Sequence, residues 1–445
     1  MSNDKCSQSL AFCAIFEASD NFMLQLTYLR EKKDEAIERL SKKIANAQQA
    51  VEAVLAIDDT RRAAQKELDD LLAASNKLAK EIGDLYKSGK REEADALKQE
   101  TAANKDKSKE LETQLATIEA QLKDALVVLP NVPHDSVPVG RTAEDNEVVF
   151  TWGNPAQLQA DAKPHWELTD KYDLIDFETG AKIAGAGFPV YRGKGARLQR
   201  ALINFFLDEA LKAGFFEIQP PILVNEDSGF GTGQLPDKEG QMYHVGIDNL
   251  YVIPTAEVPI TNIYRDVILR EDELPIKNVG YTPCFRREAG SYGKDVRGLN
   301  RLHQFDKVEI VQINTPEKSY ESLEEMSTYV QSLLQKLGLH YRVLRLCGGD
   351  MSFASALTYD MEVYSAGQQR WLEVSSVSNF ESFQANRLKL RYKTTDGKNI
   401  IAHTLNGSAL ALPRIVAALL ENNQTPDGIN LPAVLHPYLG FESIN

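Results

Sequence analysis

The hydrophobic pattern changes period about a third of the way along the chain. Leu68, Leu71, Ser75, Leu78, Ile82 and Leu85 alternate steps of three and four residues. After Lys87-Ser88-Gly89-Lys90 the alternation restarts at Leu97. It runs through Thr101, Asn104, Ser108, Leu111, Leu115, Ile118, Leu122 and Ala125. Steps of this kind draw one stripe along a helix, and two stripes joined by a glycine-containing turn predict an antiparallel hairpin. A dimerising coiled coil would show the same stripes, and this segment alone leaves both open. At 1.5 Å per residue, the second stripe would extend roughly 50 Å.

Beyond Pro130 the pattern is different. Helical spacing near 196–213 and 316–337 flanks strand-like runs at 250–256, 278–288, 303–313, 341–347, 359–365, 370–377, 388–394 and 399–405. Short turns join most of them, where a βαβ unit would need helices, so the sheet is expected to be largely antiparallel. The expected fold class is α+β.

Composition sharpens the boundary. Residues 1–129 hold no proline or tryptophan and two glycines, Gly83 and Gly89, and are rich in strong helix formers. A proline-rich linker, PNVPHDSVPVG, follows from Pro130. The periodic sequence starts near Met23. This divides the chain into an extension at 1–22, expected to be disordered, a helical arm at 23–129 and a second domain at 130–445. The 445 residues carry 50 Lys and Arg against 64 Asp and Glu, a net charge of −14, which disfavours indiscriminate nucleic-acid binding. Mean hydropathy is −0.34, and no apolar run approaches the roughly 20 residues of a membrane helix. Cys6, Cys13, Cys284 and Cys347 are scattered without a CxxC pair, which gives no disulfide framework or zinc site and fits a cytoplasmic protein.

The chemistry gathers in four stretches. Gly187 to Gly195 imitates a P-loop but has five residues between its glycines and no Ser or Thr at its end, so it reads as a turn before a helix. FRREAGSYGKDVRGLNRLHQFDKVE (285–309) is a glycine-bearing hairpin that carries, between Phe285 and Lys307, six cations, Arg286, Arg287, Lys294, Arg297, Arg301 and Lys307, against three acids. Guanidinium forks on such a loop suit a polyphosphate. Thr255-Ala256-Glu257 ends the run LYVIPTAE, and Glu373-Val374-Ser375-Ser376 ends RWLEVSS with oxygen ligands of the kind Mg²⁺ prefers. HTLNGSALALPR leads a strand through Ser408 into a helix carrying Arg414.

Together these stretches resemble a known family. The 285–309 hairpin is similar to motif 2 of a class II aminoacyl-tRNA synthetase in its seryl version. NGSALALPR resembles motif 3, and the helix running through LKAGFFEIQPP resembles motif 1. TGQLP, PTAEVP and EVSSVSNFESFQANR also look like the seryl-tRNA synthetase family, over about residues 23–440. The resemblance implies an antiparallel-sheet catalytic domain with an N-terminal hairpin that binds tRNA(Ser). It also implies a homodimer, activation of L-serine with ATP, and transfer of serine to tRNA(Ser), with tRNA(Sec) as a possible second acceptor. By resemblance, the ATP contacts are Arg286, Arg287, Glu288, Phe305, Glu373, Val374, Ser375, Ser376 and Arg414. Thr255, Ala256, Glu257, Arg286, Glu309 and Ser408 would meet serine, and Glu373 and Ser376 would hold Mg²⁺. Arg286, Glu309 and Arg414 carry the catalytic expectation. No zinc is expected, since nothing resembles the zinc-dependent archaeal variety.

Three positions depart from the commonest pattern: Ala409 and Pro413 stand where glycine is usual, and Leu357 where many relatives carry lysine. The alternative reading is a synthetase-like paralogue serving a non-tRNA acceptor, though such relatives tend to lack the arm. A scaffold built on the coiled coil would have no reason to keep Arg286, Glu309, Glu373 and Arg414 together.

Overall fold

The computed structural model describes residues 26–237, 239–289 and 297–445. The 1–22 extension and Lys294 therefore lie outside the described residues. The chain forms two units that meet between Pro130 and Asn131.

The first unit is dominated by α1 (Ala47–Lys87) and α2 (Arg91–Val127), which pair as a hairpin. Every seam position read from the sequence is buried or half-buried, and their flanks are mostly exposed. The polar seam residues cost little, because Ser75, Thr101 and Ser108 return their hydroxyls to the carbonyls of Leu71, Leu97 and Asn104 at 2.9, 3.0 and 2.9 Å. Gly89 closes the turn at φ +78°, the left-handed region that glycine enters without penalty. At the base, Asp58 is buried between Arg30 and Arg61, at 2.5 and 2.9 Å. Two shorter helices, Leu26–Glu31 and Lys33–Ser41, precede α1.

The second unit is built on an eight-stranded sheet. Its strands are β1 (Glu147–Trp152), β2 (Phe216–Glu217), β3 (Ile276–Phe285), β4 (Gln304–Asn314), β5 (Tyr341–Arg345), β6 (Leu357–Ser365), β7 (Arg370–Glu381) and β8 (His403–Ala411). Their order is β1-β5-β6-β7-β8-β4-β3-β2, and every pairing is antiparallel except β2 with β3. The helices that bear on the site are α3 (His165–Lys171), α4 (Gly193–Lys212), α5 (Glu257–Asn262), α6 (Ser319–Lys336), α7 (Ser382–Leu388) and α8 (Leu412–Asn422).

Strand alternation divides β4 between two environments. Val308 and Ile310 join the main core with α4, α6 and α8. Phe305, Lys307 and Glu309 point the other way, and Val311 on that face packs on Ala256 and Ile260. Three expectations about element ends are corrected. The strand at 250 stops at Val252, because Pro254 cannot donate to a ladder, and Glu257 opens α5. RWLEVSS runs on to Glu381. The strand expected at 388–394 shrinks to Arg391–Lys393, since α7 extends to Leu388 and Lys389 turns at φ +54°.

Candidate active site

Glu309 lies on β4 and is 1% exposed. The ladder sets it opposite Ser408 on β8 and Gly280 on β3. Lys307, two residues earlier on the same face, places Nζ 2.7 Å from Glu309 Oε2. Ser408 Oγ donates to that same oxygen at 3.4 Å, which leaves Oε1 for another donor.

Glu257 adds a second carboxylate. Gln384 Nε2 donates to Glu257 Oε1 at 2.6 Å, and the Glu257 backbone N–H is 3.3 Å from Thr255 Oγ1. Burial, followed by the charge of Glu309, pushes the Glu257 carboxyl up to about 7. Between the unfolded value of 4.5 and about 7, the folded state holds a proton that the unfolded state has released. Stability should therefore fall as pH rises through that window. In urea unfolding, Glu257→Gln should gain about 2 kcal/mol on the natural protein between pH 5.5 and 7.5. A pH-independent difference would contradict this protonation state.

The hairpin residues close the other side. Arg286 Nε donates to the Pro254 carbonyl at 3.4 Å, and its guanidinium lies 5.3 Å from the centre of the Phe305 ring. Glu288, at φ +49°, pairs with Arg301 at 3.0 Å, and Arg287 is exposed. From the first turn of α8, Arg414 Nη1 donates to the Glu373 carbonyl on β7 at 2.6 Å and lies 3.6 Å from its carboxylate. Arg414 Nε donates to the Asn300 carbonyl at 3.3 Å.

A bulge explains the spacing of Glu373 and Ser376. The β6–β7 register pairs Asp360 with Ser376 and Glu362 with Glu373, with one extra residue between. That residue count puts Glu373 and Ser376 on one face although they are three apart. Val374 turns into the core, and Ser375 Oγ donates to the Ser408 carbonyl at 2.5 Å. Asp360 Oδ1 is buried without a hydrogen-bond partner among the described residues. Burial and then the Glu373 charge hold its carboxyl well above the usual range. Crowded carboxylate and hydroxyl oxygens with an orphaned acceptor are a donor set suited to a hard divalent cation.

Two family models match the chain: the seryl-tRNA synthetase N-terminal domain over residues 23–133, and the class II tRNA synthetase core domain (G, H, P, S and T) over residues 243–423. The serine–tRNA ligase of Salinibacter ruber is 53% identical, covering 95% of this chain and 99% of its own. That of Methylacidiphilum infernorum is 48% identical, covering 94% and 100%. The chain belongs to the seryl-tRNA synthetase family. Among solved structures, the Pyrococcus horikoshii seryl-tRNA synthetase complexed with ATP superposes with a TM-score of 0.90 at 34% identity, covering 95% of this chain and 99% of that one.

Within this synthetase fold, the residues expected from sequence fall into two adjoining groups. Thr255, Ala256, Glu257, Arg286, Phe305, Glu309 and Ser408 gather in one group around Glu309 and Glu257. Glu373, Ser376 and Arg414 form the other, joined to the first through the Ser375–Ser408 contact. The Val374 and Ser375 side chains face away from it. Leu357 is in the core, and Pro413 sits at the start of α8 without disturbing Arg414. Lys307, Asp360 and Gln384 were not singled out from sequence as site residues. Alternation along β4 from Glu309 could have flagged Lys307; Asp360 and Gln384 meet the site only through pairing of distant segments.

Proposed function

We propose that the chain activates L-serine with ATP to seryl-adenylate and pyrophosphate, then transfers serine to the terminal ribose of tRNA(Ser), with tRNA(Sec) a possible second acceptor. The observation that supports this is the buried carboxylate of Glu309, which holds Lys307 and Ser408 on Oε2 and faces the charge of Glu257, with Arg286 nearby and Arg414 in the adjoining group.

Serine enters with its ammonium on Glu309 Oε1 and its hydroxyl towards Ser408 and the Thr255–Glu257 segment. A pocket that bonds the hydroxyl rejects alanine, because its own polar groups would be left unpaired. Threonine is refused for lack of room for its methyl group. The serine carboxylate attacks the α-phosphorus in line and pyrophosphate leaves, so rate comes mainly from positioning and from neutralising charge. Arg286 holds the α-phosphate. Phe305 and Arg414 cover the two faces of adenine, and Glu288 reaches its edge. Glu373 and Ser376 would hold Mg²⁺, which when bound supplies positive charge to the phosphate oxygens.

We also propose a cytoplasmic homodimer whose arm holds the tRNA. Among the described residues no helix is long and apolar enough to cross a membrane. Leu211, Phe216, Ile222 and Leu223 leave large apolar side chains exposed at the α4–β2 segment that resembles motif 1. A two-fold axis would pair that patch with itself. Light scattering should give about twice the 49.6 kDa chain mass, and an active monomer would contradict the dimer. The overall proposal is tested by charging. Serine should become attached to tRNA(Ser) through an alkali-labile ester; no attachment, with adenylate still formed, would favour a non-tRNA acceptor.

A further inference from the structure

His165 and Glu421 form a hydrogen-bonded couple that is completely buried, away from every residue given a role above. Both side chains are 0% exposed, with His165 Nδ1 2.7 Å from Glu421 Oε1. That oxygen also accepts from the His165 backbone N–H and from Gln368 Nε2, each at 2.9 Å. Glu421 Oε2 accepts from Ser365 Oγ. On the far side of the ring, His165 Nε2 accepts the Leu299 backbone N–H at 2.8 Å. A nitrogen that accepts carries no proton, so the proton is on Nδ1 and is donated to the carboxylate. The two contacts hold the ring in one tautomer.

Burying such a couple adds little stability over well-packed apolar residues. What it does is geometric. Leu299 and Asn300 lie on the return limb of the 285–309 hairpin. Asn300 Nδ2 donates to Gln368 Oε1 at 3.0 Å, and the Asn300 carbonyl accepts from Arg414 Nε at 3.3 Å. Arg414 and Glu421 both belong to α8, seven residues and roughly 10 Å apart. The contacts therefore close a ring from Glu421 through His165, Leu299 and Asn300 to Arg414, and back along one helix. Gly298 fits this closure tightly: its φ is +65°, and a Cβ there would lie 2.3 Å from His165 Nε2. Arg297, the preceding residue, lays its guanidinium 4.8 Å from the centre of the Trp166 ring, which itself stands edge-on to His165.

We infer that His165 and Glu421 are positioning residues. They fix the return limb of the hairpin against α8 and thereby set the plane of the Arg414 guanidinium for the nucleotide. The inference rests on Arg414 covering adenine, as proposed above. Serine is assigned to Glu309, which shares a sheet face with Ser376 but makes no contact within this ring.

The test is steady-state ATP–pyrophosphate exchange on the full chain with His165→Phe, Gly298→Ala and, in parallel, Arg414→Ala. His165→Phe keeps the ring volume and removes both nitrogens. Gly298→Ala leaves the couple intact and pushes the limb away from it, so it remains informative if His165→Phe fails to fold. Each should raise the KM for ATP about ten- to a hundred-fold, the usual effect of misplacing a binding group by about 1 Å. The KM for serine should be unchanged. If Arg414→Ala raises the ATP KM while folded Gly298→Ala and His165→Phe do not, the positioning role is wrong. Equal rises in both KM values, tracking a lowered Tm, would make the couple a structural element only and would also overturn it. An Arg414→Ala protein with normal ATP KM would overturn the role given to Arg414 and the inference with it.

Discussion

Glu309→Ala should abolish serine-dependent pyrophosphate exchange. The carboxylate is 1% exposed and already carries Lys307 on one oxygen. Removing it takes away the partner proposed for the serine ammonium, and it strands Lys307, itself 6% exposed, without its counter-charge. Breaking a buried pair of this kind costs roughly 3–5 kcal/mol, which corresponds to at least about a hundred-fold loss at 1.36 kcal/mol per decade. The loss should fall on serine: ATP affinity, measured by equilibrium binding, should be close to normal in the folded variant. Exchange at near-normal rate with unchanged serine KM would remove Glu309 from the serine site.

The second large effect concerns the arm. The net charge of −14 argues against holding RNA by general attraction. Lys77, Lys80, Lys87, Lys90, Arg91, Lys98, Lys105, Lys107 and Lys109 gather cations on the half of the hairpin nearest its turn. Several of these are occupied: Lys87 with Asp84, Lys90 with Glu93, Lys98 with Asp95, and Lys107 with Glu67 across the hairpin. Lys77, Lys80, Lys105 and Lys109 are exposed and make no ion pair with another described residue. Cations spread along a stiff rod suit recognition of an RNA backbone by shape. Replacing residues 61–124 by a short linker should leave seryl-adenylate formation largely intact and cut tRNA charging by orders of magnitude. Loss of both activities in a folded variant would mean that the arm supports the active site. Loss of neither would mean that tRNA is recognised elsewhere.

The hairpin was legible because helix periodicity is a local signal. Positions 68–85 and 97–125 follow one stripe on each helix, and even the polar seam residues Thr101 and Ser108 stay on theirs by bonding to their own helix. The strands of the antiparallel sheet were legible as apolar runs, but of their connections only the one from β6 to β7 is a short turn, and the others carry loops and helices. Element ends were harder. Thr255 and Glu257 read as the end of a strand, but Pro254 breaks the ladder before them. Ser376 read as the end of its strand, which runs on to Glu381. The bulge at Val374, which turns Glu373 and Ser376 to one side, depends on register with β6 and has no local signature. The His165–Glu421 couple was invisible for the same reason. Its members are 256 residues apart, and an isolated histidine before Trp166 carries no mark of its partner.

The most direct measurement of the central claim is ATP–pyrophosphate exchange with each of the twenty amino acids in turn, on the full chain with Mg²⁺ present. The account predicts exchange that depends on L-serine, with alanine and threonine far below it. Polar groups at Ser408 and Thr255 left unpaired would penalise the first, and the proposed exclusion of an extra methyl group would penalise the second. Exchange supported best by another amino acid, or no exchange with serine in a folded protein, would contradict it.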